Sequence, residues 1–133
     1  MPQSLSQNYV HLIFSTKERQ PRITAPVQER LYPYLAKALE GQDCPALKIG
    51  GVADHIHVLF RLSKNVALSK VIGSIKGESS KWLKEVFPEL QSFAWQGGYG
   101  AFSVSASHLD RVTNTLMDRP KTFKEEFRAF LIK

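Results

Sequence analysis

Apolar and polar residues recur along this chain with two different periods, and the places where the period changes outline its elements. Tyr9 to Ser15 (YVHLIFS) is dense in aromatic and branched residues and stops at a polar, Pro-containing stretch over 16–22. It reads as a strand, central in its sheet, followed by a loop. Val27, Leu31, Tyr34, Leu35 and Ala38 then fall at helical spacing, with Thr24 placed to cap and Pro26 in the first turn. Pro33 is expected to kink that helix. Residues 47–53 and 55–62 are strand-like and too close together for an intervening helix, which predicts a hairpin. Gly50 and Gly51 mark a bulge or a close backbone approach within it.

The helical period returns over 67–86, where Leu68, Val71, Ile72, Ile75, Trp82, Leu83 and Val86 share a face and Lys70, Lys81 and Lys84 lie mainly on the other. Pro88 closes it, and 93–104 carries two short strand-like pieces broken by Gly97, Gly98 and Gly100. Ser107 caps a further helix to about Met117 that Pro120 stops, and Phe123, Phe127, Phe130 and Leu131 give a last helical piece one apolar face. Strand, helix, strand, strand, helix, strand, helix is the order of an α+β fold. We expect the ferredoxin-like (RRM-like) kind, an antiparallel sheet with helices packed on one face.

Composition narrows this only a little. With 133 residues, 43% hydrophobic and 23% charged, one folded domain over 1–133 is expected. The net charge of +6 favours a polyanionic partner such as nucleic acid, but enzymes of phosphorylated substrates are equally basic, so a site must decide. Cys44 is the single cysteine, which excludes an intramolecular disulfide and a cysteine-cluster zinc site; it reads as a small semi-buried residue before a strand. The first residues lack a basic segment followed by an apolar one, and no run approaches the roughly 18 apolar residues of a membrane span. No membrane association and a cytoplasmic location are expected.

Residues i and i+2 of a strand point to one face, so His55 and His57 present two imidazoles side by side while Ile56 and Val58 enter the core layer. Neutral imidazoles suit divalent ions and leave room for oxygen ligands. A bare His-x-His is common, and by itself it reads as two half-exposed polar residues. Its context is more specific. Residues 49–60 (IGGVADHIHVLF), 9–17 (YVHLIFSTK), 76–82 (KGESSKW) and 93–105 (FAWQGGYGAFSVS) together resemble the single-tyrosine transposases of the HUH superfamily, the small insertion-sequence enzymes and their REP-associated relatives. The resemblance covers nearly the whole chain, in four blocks in the family's order.

That resemblance implies a divalent metal, magnesium or manganese, held by His55, His57 and a side chain of the final catalytic helix. It also implies single-stranded DNA with hairpins as the partner, a tyrosine nucleophile that forms a phosphotyrosine link, and homodimers. The chain departs from the family at one point. Where Tyr-x-x-x-Gln is expected, 112–119 reads VTNTLMDR, which puts Thr115 at the tyrosine position and Arg119 at the glutamine position, with a shift of one residue left open. No shift supplies a tyrosine, since the four in the chain are Tyr9, Tyr32, Tyr34 and Tyr99. Tyr99 is assigned a structural or dimer-contact role. A threonine hydroxyl needs strong activation to attack phosphorus, so loss of cleavage is expected. Asp118 stands in as an oxygen ligand if the helix rotates slightly, and Arg119 repels a cation but welcomes a phosphate.

For nucleic-acid binding the candidates are Lys17, Arg19 and Arg22 after the first strand and Lys70, Lys76, Lys81 and Lys84 on the second helix. Phe93 and Trp95 are expected to pack inside rather than to stack on bases. Three functions follow: a transposase-family protein that recognises hairpin DNA with impaired strand transfer, a non-catalytic binder of structured single-stranded DNA or RNA, and, more weakly, a metal-dependent phosphoester hydrolase.

Overall fold

Branched and aromatic residues at alternating positions form β1 (Tyr9–Ser15), β2 (Ala46–Val52), β3 (His55–Arg61) and β4 (Gly100–Val104), while the 3.6-residue stripes form α1 (Ala25–Gly41) and α2 (Leu68–Val86). These come from a computed structural model that describes residues 8–108. Among the described residues the strands make one sheet in the order β2-β3-β1-β4, with every neighbouring pair antiparallel. The element order and sheet order are those of a ferredoxin-like α+β fold.

The period of two decides which side the helices cover. Val10, Leu12 and Phe14 of β1 and Ile56, Val58 and Phe60 of β3 form one core with Val27, Leu31, Leu35 and Leu39 of α1 and Val71, Ile72, Ile75 and Leu83 of α2. Burying each such side chain stabilises the fold by about 1.5–3 kcal/mol. Phe93 and Trp95 close one end of this layer, each meeting its ring neighbour edge-on: Phe14 with Trp95 at 4.6 Å and Phe93 with Trp95 at 4.8 Å. The Trp95 indole N–H donates to Ser79 Oγ at 3.0 Å. Both aromatics thus pack inside, as expected. Cys44 is fully buried just before β2, more deeply than its sequence context suggests.

Three local features bear on the sequence expectations. First, α1 is one continuous helix through Pro33, which is exposed, so the Glu29 carbonyl that its missing N–H leaves can be met by water. Second, the ladder irregularity in β2 lies between Ala46 and Lys48, where Leu47 is the extra residue and is 45% exposed, and not at the glycine pair. The close approach is at Gly51, with φ of +149°, where a Cβ would run into the His55 carbonyl oxygen and Ile56 Cα. Third, 93–104 yields one strand rather than two, and Trp95 makes only an isolated bridge to Thr16. Gly98, with φ of +87°, turns the chain away before β4 begins.

Of the helix expected from Ser107, only a 3-10 turn over Ala106–His108 is described. The rest of it, with Thr115, Asp118 and Arg119, and the last helical piece lie outside the described residues. No helix among the described residues is long and apolar enough to cross a membrane.

Candidate metal and phosphate site

The hairpin between β2 and β3 turns through two residues, Ala53 and Asp54, because Val52 pairs with His55. Both loop carbonyls are tied to the rest of the chain: the Ile23 amide donates to the Ala53 carbonyl at 2.9 Å and the Thr16 amide to the Asp54 carbonyl at 3.0 Å. The Thr16 hydroxyl donates to the Gln20 carbonyl at 2.7 Å, which fastens the loop after β1 to the same corner. Asp54 and His55 therefore sit on a turn held from two directions.

On the sheet face away from the helices, the register places His57 opposite Ile13 and His55 opposite Ser15, with His11 opposite Leu59. His11 is thus the diagonal neighbour of His57 on the same face. Its Nε2 lies 3.0 Å from His57 Nδ1, and the two rings stack with centroids 5.2 Å apart and planes inclined by 16°. His55 and His57 follow at a centroid distance of 5.7 Å. Beside His57 on β2 stands Gly50, which puts no side chain into this row. The histidines are not half-exposed: His11, His55 and His57 are 1%, 2% and 1% accessible, as are Ile13 and Leu59 around them to within a per cent or so.

Burial sets the protonation. It holds His11 down at about 4 and, with the neighbouring His11 and His55, holds His57 far below the usual imidazole value. Two of these imidazoles are therefore neutral at physiological pH, the form that binds metals. Asp54 Oδ1 lies 2.6 Å from His55 Nδ1, and Arg19 Nε lies 3.4 Å from Asp54 Oδ2. Burial alone would raise the Asp54 carboxyl, but the hydrogen bond from His55 and the Arg19 charge outweigh it, and the net shift is downward. Arg19 Nη2 is also 3.5 Å from His55 Nδ1, a distance that matters less because that nitrogen already points its proton at the carboxylate.

These contacts suit His55 and His57 to a divalent metal. Each has its Nδ1 in one of these contacts, which leaves Nε2 as the ring nitrogen on the other side of the imidazole. Among the described residues no three His, Cys, Asp or Glu side chains converge on a common point. The third ligand expected, Asp118, belongs to the part of the chain outside the described residues.

The expected cation track divides in two. Lys17, Arg19 and Arg22 share the loop that Thr16 fastens to the histidine turn, and Lys17, Gln20, Arg22 and Ser92 line a cleft of about 240 Å³ there. Arg22 Nη2 donates to the Glu89 carbonyl at 3.1 Å and Ser92 Oγ at 3.4 Å. Lys70, Lys81 and Lys84 stand on α2, in the layer behind the sheet, and Lys81 lies in a groove of about 430 Å³ with Tyr34, Lys37, Glu78, Trp82 and Glu85. Lys76 Nζ donates to the Gln96 and Gly98 carbonyls, each at 2.8 Å, and burial lowers its pKa. It acts as a strut between α2 and the segment before β4. Sequence reasoning missed His11 and Asp54. Odd position in a strand was the signal for the first, and adjacency to His55 in a tight turn was the signal for the second.

Comparison with known proteins agrees with this architecture. Two solved structures share the fold: a Deinococcus radiodurans R1 protein described as a transposase, with TM-score 0.73 and 18% identity over 89% of this chain and 95% of its own. The other is a REP-associated tyrosine transposase bound to a REP hairpin, with TM-score 0.65 and 11% identity over 90% of this chain and 69% of its own. The transposases for insertion sequence element IS200 of Salmonella typhimurium and Salmonella typhi are 30% identical over 81 residues, 61% of this chain and 53% of theirs. The chain thus spans about half the length of these curated relatives. The family model described as "Transposase IS200 like" matches residues 4–116. That match covers most of the sequence, and with it the chain belongs to the IS200-like transposase family.

Proposed function

We propose that this chain binds single-stranded DNA folded into hairpins and holds a divalent ion, magnesium or manganese, at His55 and His57, as a homodimer whose strand cleavage is impaired. The observation that carries the reading is the buried histidine pair on a turn shared with the cationic loop of Lys17, Arg19 and Arg22. When bound, the ion supplies Lewis-acid polarisation of a scissile phosphate. The chain's own part is to present two imidazoles from one strand and to draw the phosphate backbone toward them with the loop cations. Kinship with a protein captured on a REP hairpin supports hairpin DNA as the partner. Exposed Tyr99, 45% accessible, is available for a dimer contact.

Impairment follows from Thr115 at the tyrosine position. An alkyl hydroxyl is a far weaker acid than a phenol and needs a base. Under this reading the chain approaches a non-catalytic module for structured single strands, and one experiment separates the two. Fluorescence anisotropy with a labelled DNA hairpin is expected to show affinity that falls steeply with salt and exceeds that for a blunt duplex. A denaturing gel after incubation with manganese is expected to show no covalent adduct for the wild type and an adduct for Thr115→Tyr. No affinity at low salt defeats the nucleic-acid reading, and a wild-type adduct defeats the loss of cleavage.

A further inference from the structure

Two hydrogen bonds to the histidine pair, one to each ring, differ in what they determine. An ionised carboxylate accepts and cannot donate, so the 2.6 Å contact with Asp54 Oδ1 places the proton of His55 on Nδ1. In the neutral ring the lone pair of His55 is then on Nε2. His57 has another imidazole as its partner, and two neutral rings can share one proton in either sense. If His11 donates, the proton of His57 sits on Nε2 and that nitrogen cannot bind a cation. If His11 accepts, His57 matches His55.

We propose that His11 is the acceptor: a positioning residue that holds His57 in the Nδ1–H tautomer, so that both histidines of the pair turn an Nε2 lone pair to the same site. The inference rests on the metal-binding reading given above. The geometry supports it. The strand register fixes His11 diagonal to His57, the near-parallel stack keeps its Nε2 at 3.0 Å, and 1% accessibility keeps competing water from the bond. His11 is not itself a third ligand in this arrangement, because the two nitrogens face one another in a hydrogen bond and no three such side chains converge among the described residues. Asp54 does for His55 what His11 does for His57, with Arg19 bracing the carboxylate from its outer oxygen at 3.4 Å.

The test uses metal-free protein. Long-range 1H–15N correlation spectra read the tautomer of each histidine in the wild type, in His11→Phe and in His11→Gln, whose amide oxygen can accept the same proton. Manganese affinity is then measured by calorimetry on the same samples. We expect Nδ1–H at both His55 and His57 in the wild type. In His11→Phe, His57 shifts toward Nε2–H while His55 is unchanged, and manganese affinity falls roughly 10- to 100-fold. His11→Gln restores the Nδ1–H signal and most of the affinity. Finding Nε2–H at His57 in the wild type overturns the proposal, as does an unchanged His57 tautomer in a folded His11→Phe. The wild-type spectrum decides the sense of the bond even if the Phe variant folds poorly. Correct tautomers without manganese binding would sustain the role of His11 and overturn the metal reading instead.

Discussion

The two faces of β1 and β3 divide fourteen alternating positions between them and are alike buried along their centres, yet they do different work. Toward the helices, Val10, Leu12, Phe14, Ile56, Val58 and Phe60 are apolar and interchangeable in kind, and their burial needs no partner beyond close packing. Away from them, His11, His55 and His57 are as deeply buried between Ile13 and Leu59, and each hydrogen bond they make is specific to one atom. A buried polar group without its partner costs about 1–3 kcal/mol, so this face tolerates change only where the bond is replaced. The first face holds the sheet against its helices. The second commits stability to the placement of three rings.

If that division is right, damage to the helix side should lower stability without altering the histidines. Phe60→Ala is expected to cost about 3–5 kcal/mol in denaturant melts while the folded protein keeps the wild-type histidine tautomers. A changed His57 signal there would break the comparison, because it would mean that the faces are coupled through the strand. Gly51→Ala should cost roughly 3 kcal/mol, from positive φ and the contact with the His55 carbonyl, and should disturb His55 first. Calorimetric melting together with His55 chemical shifts checks it.

Acid sharpens the contrast from the other side. The folded-state pKa of His11 is about 4 against 6.5 for an ordinary imidazole, so the unfolded chain takes up protons first. Its contribution is whole above 6.5 and is lost as the pH falls toward about 4. Between pH 6.5 and 5 the loss from His11 is on the order of 2 kcal/mol, with His57 acting in the same direction. His11→Gln should flatten the stability profile over that range; an equally steep profile would assign the acid sensitivity elsewhere. The smallest effect belongs to Arg19→Ala. Its side chain is 44% exposed, and its pair with Asp54 is worth about 1 kcal/mol or less. The melting temperature should barely move, whereas a loss of several kcal/mol would make Arg19 part of the buried network.

How much of this could be read from the chain depends on whether a feature is local. The strand of Tyr9 to Ser15, the hairpin, α2 and the helix-side core are all legible because period two and period 3.6 are written in consecutive residues. The pair His55 and His57 is legible for the same reason. His11 stood inside a readable strand, but its role depends on β1 lying antiparallel to β3 in one register, and no local pattern records that register. Lys76 looked like one more helix cation until the chain before β4 folded its Gln96 and Gly98 carbonyls over it. Leu47 took the bulge from the glycines because an edge strand can let one side chain out to solvent.

The turn at Ala53 and Asp54 has an evolutionary consequence. Its carbonyls anchor the start of α1 and the end of β1, and its carboxylate orients His55. Losing this corner would loosen the loop after β1 and the approach to α1, whatever became of catalysis. Selection for a stable chain alone would therefore preserve much of the histidine site, and an intact site is weak testimony that a descendant still moves DNA.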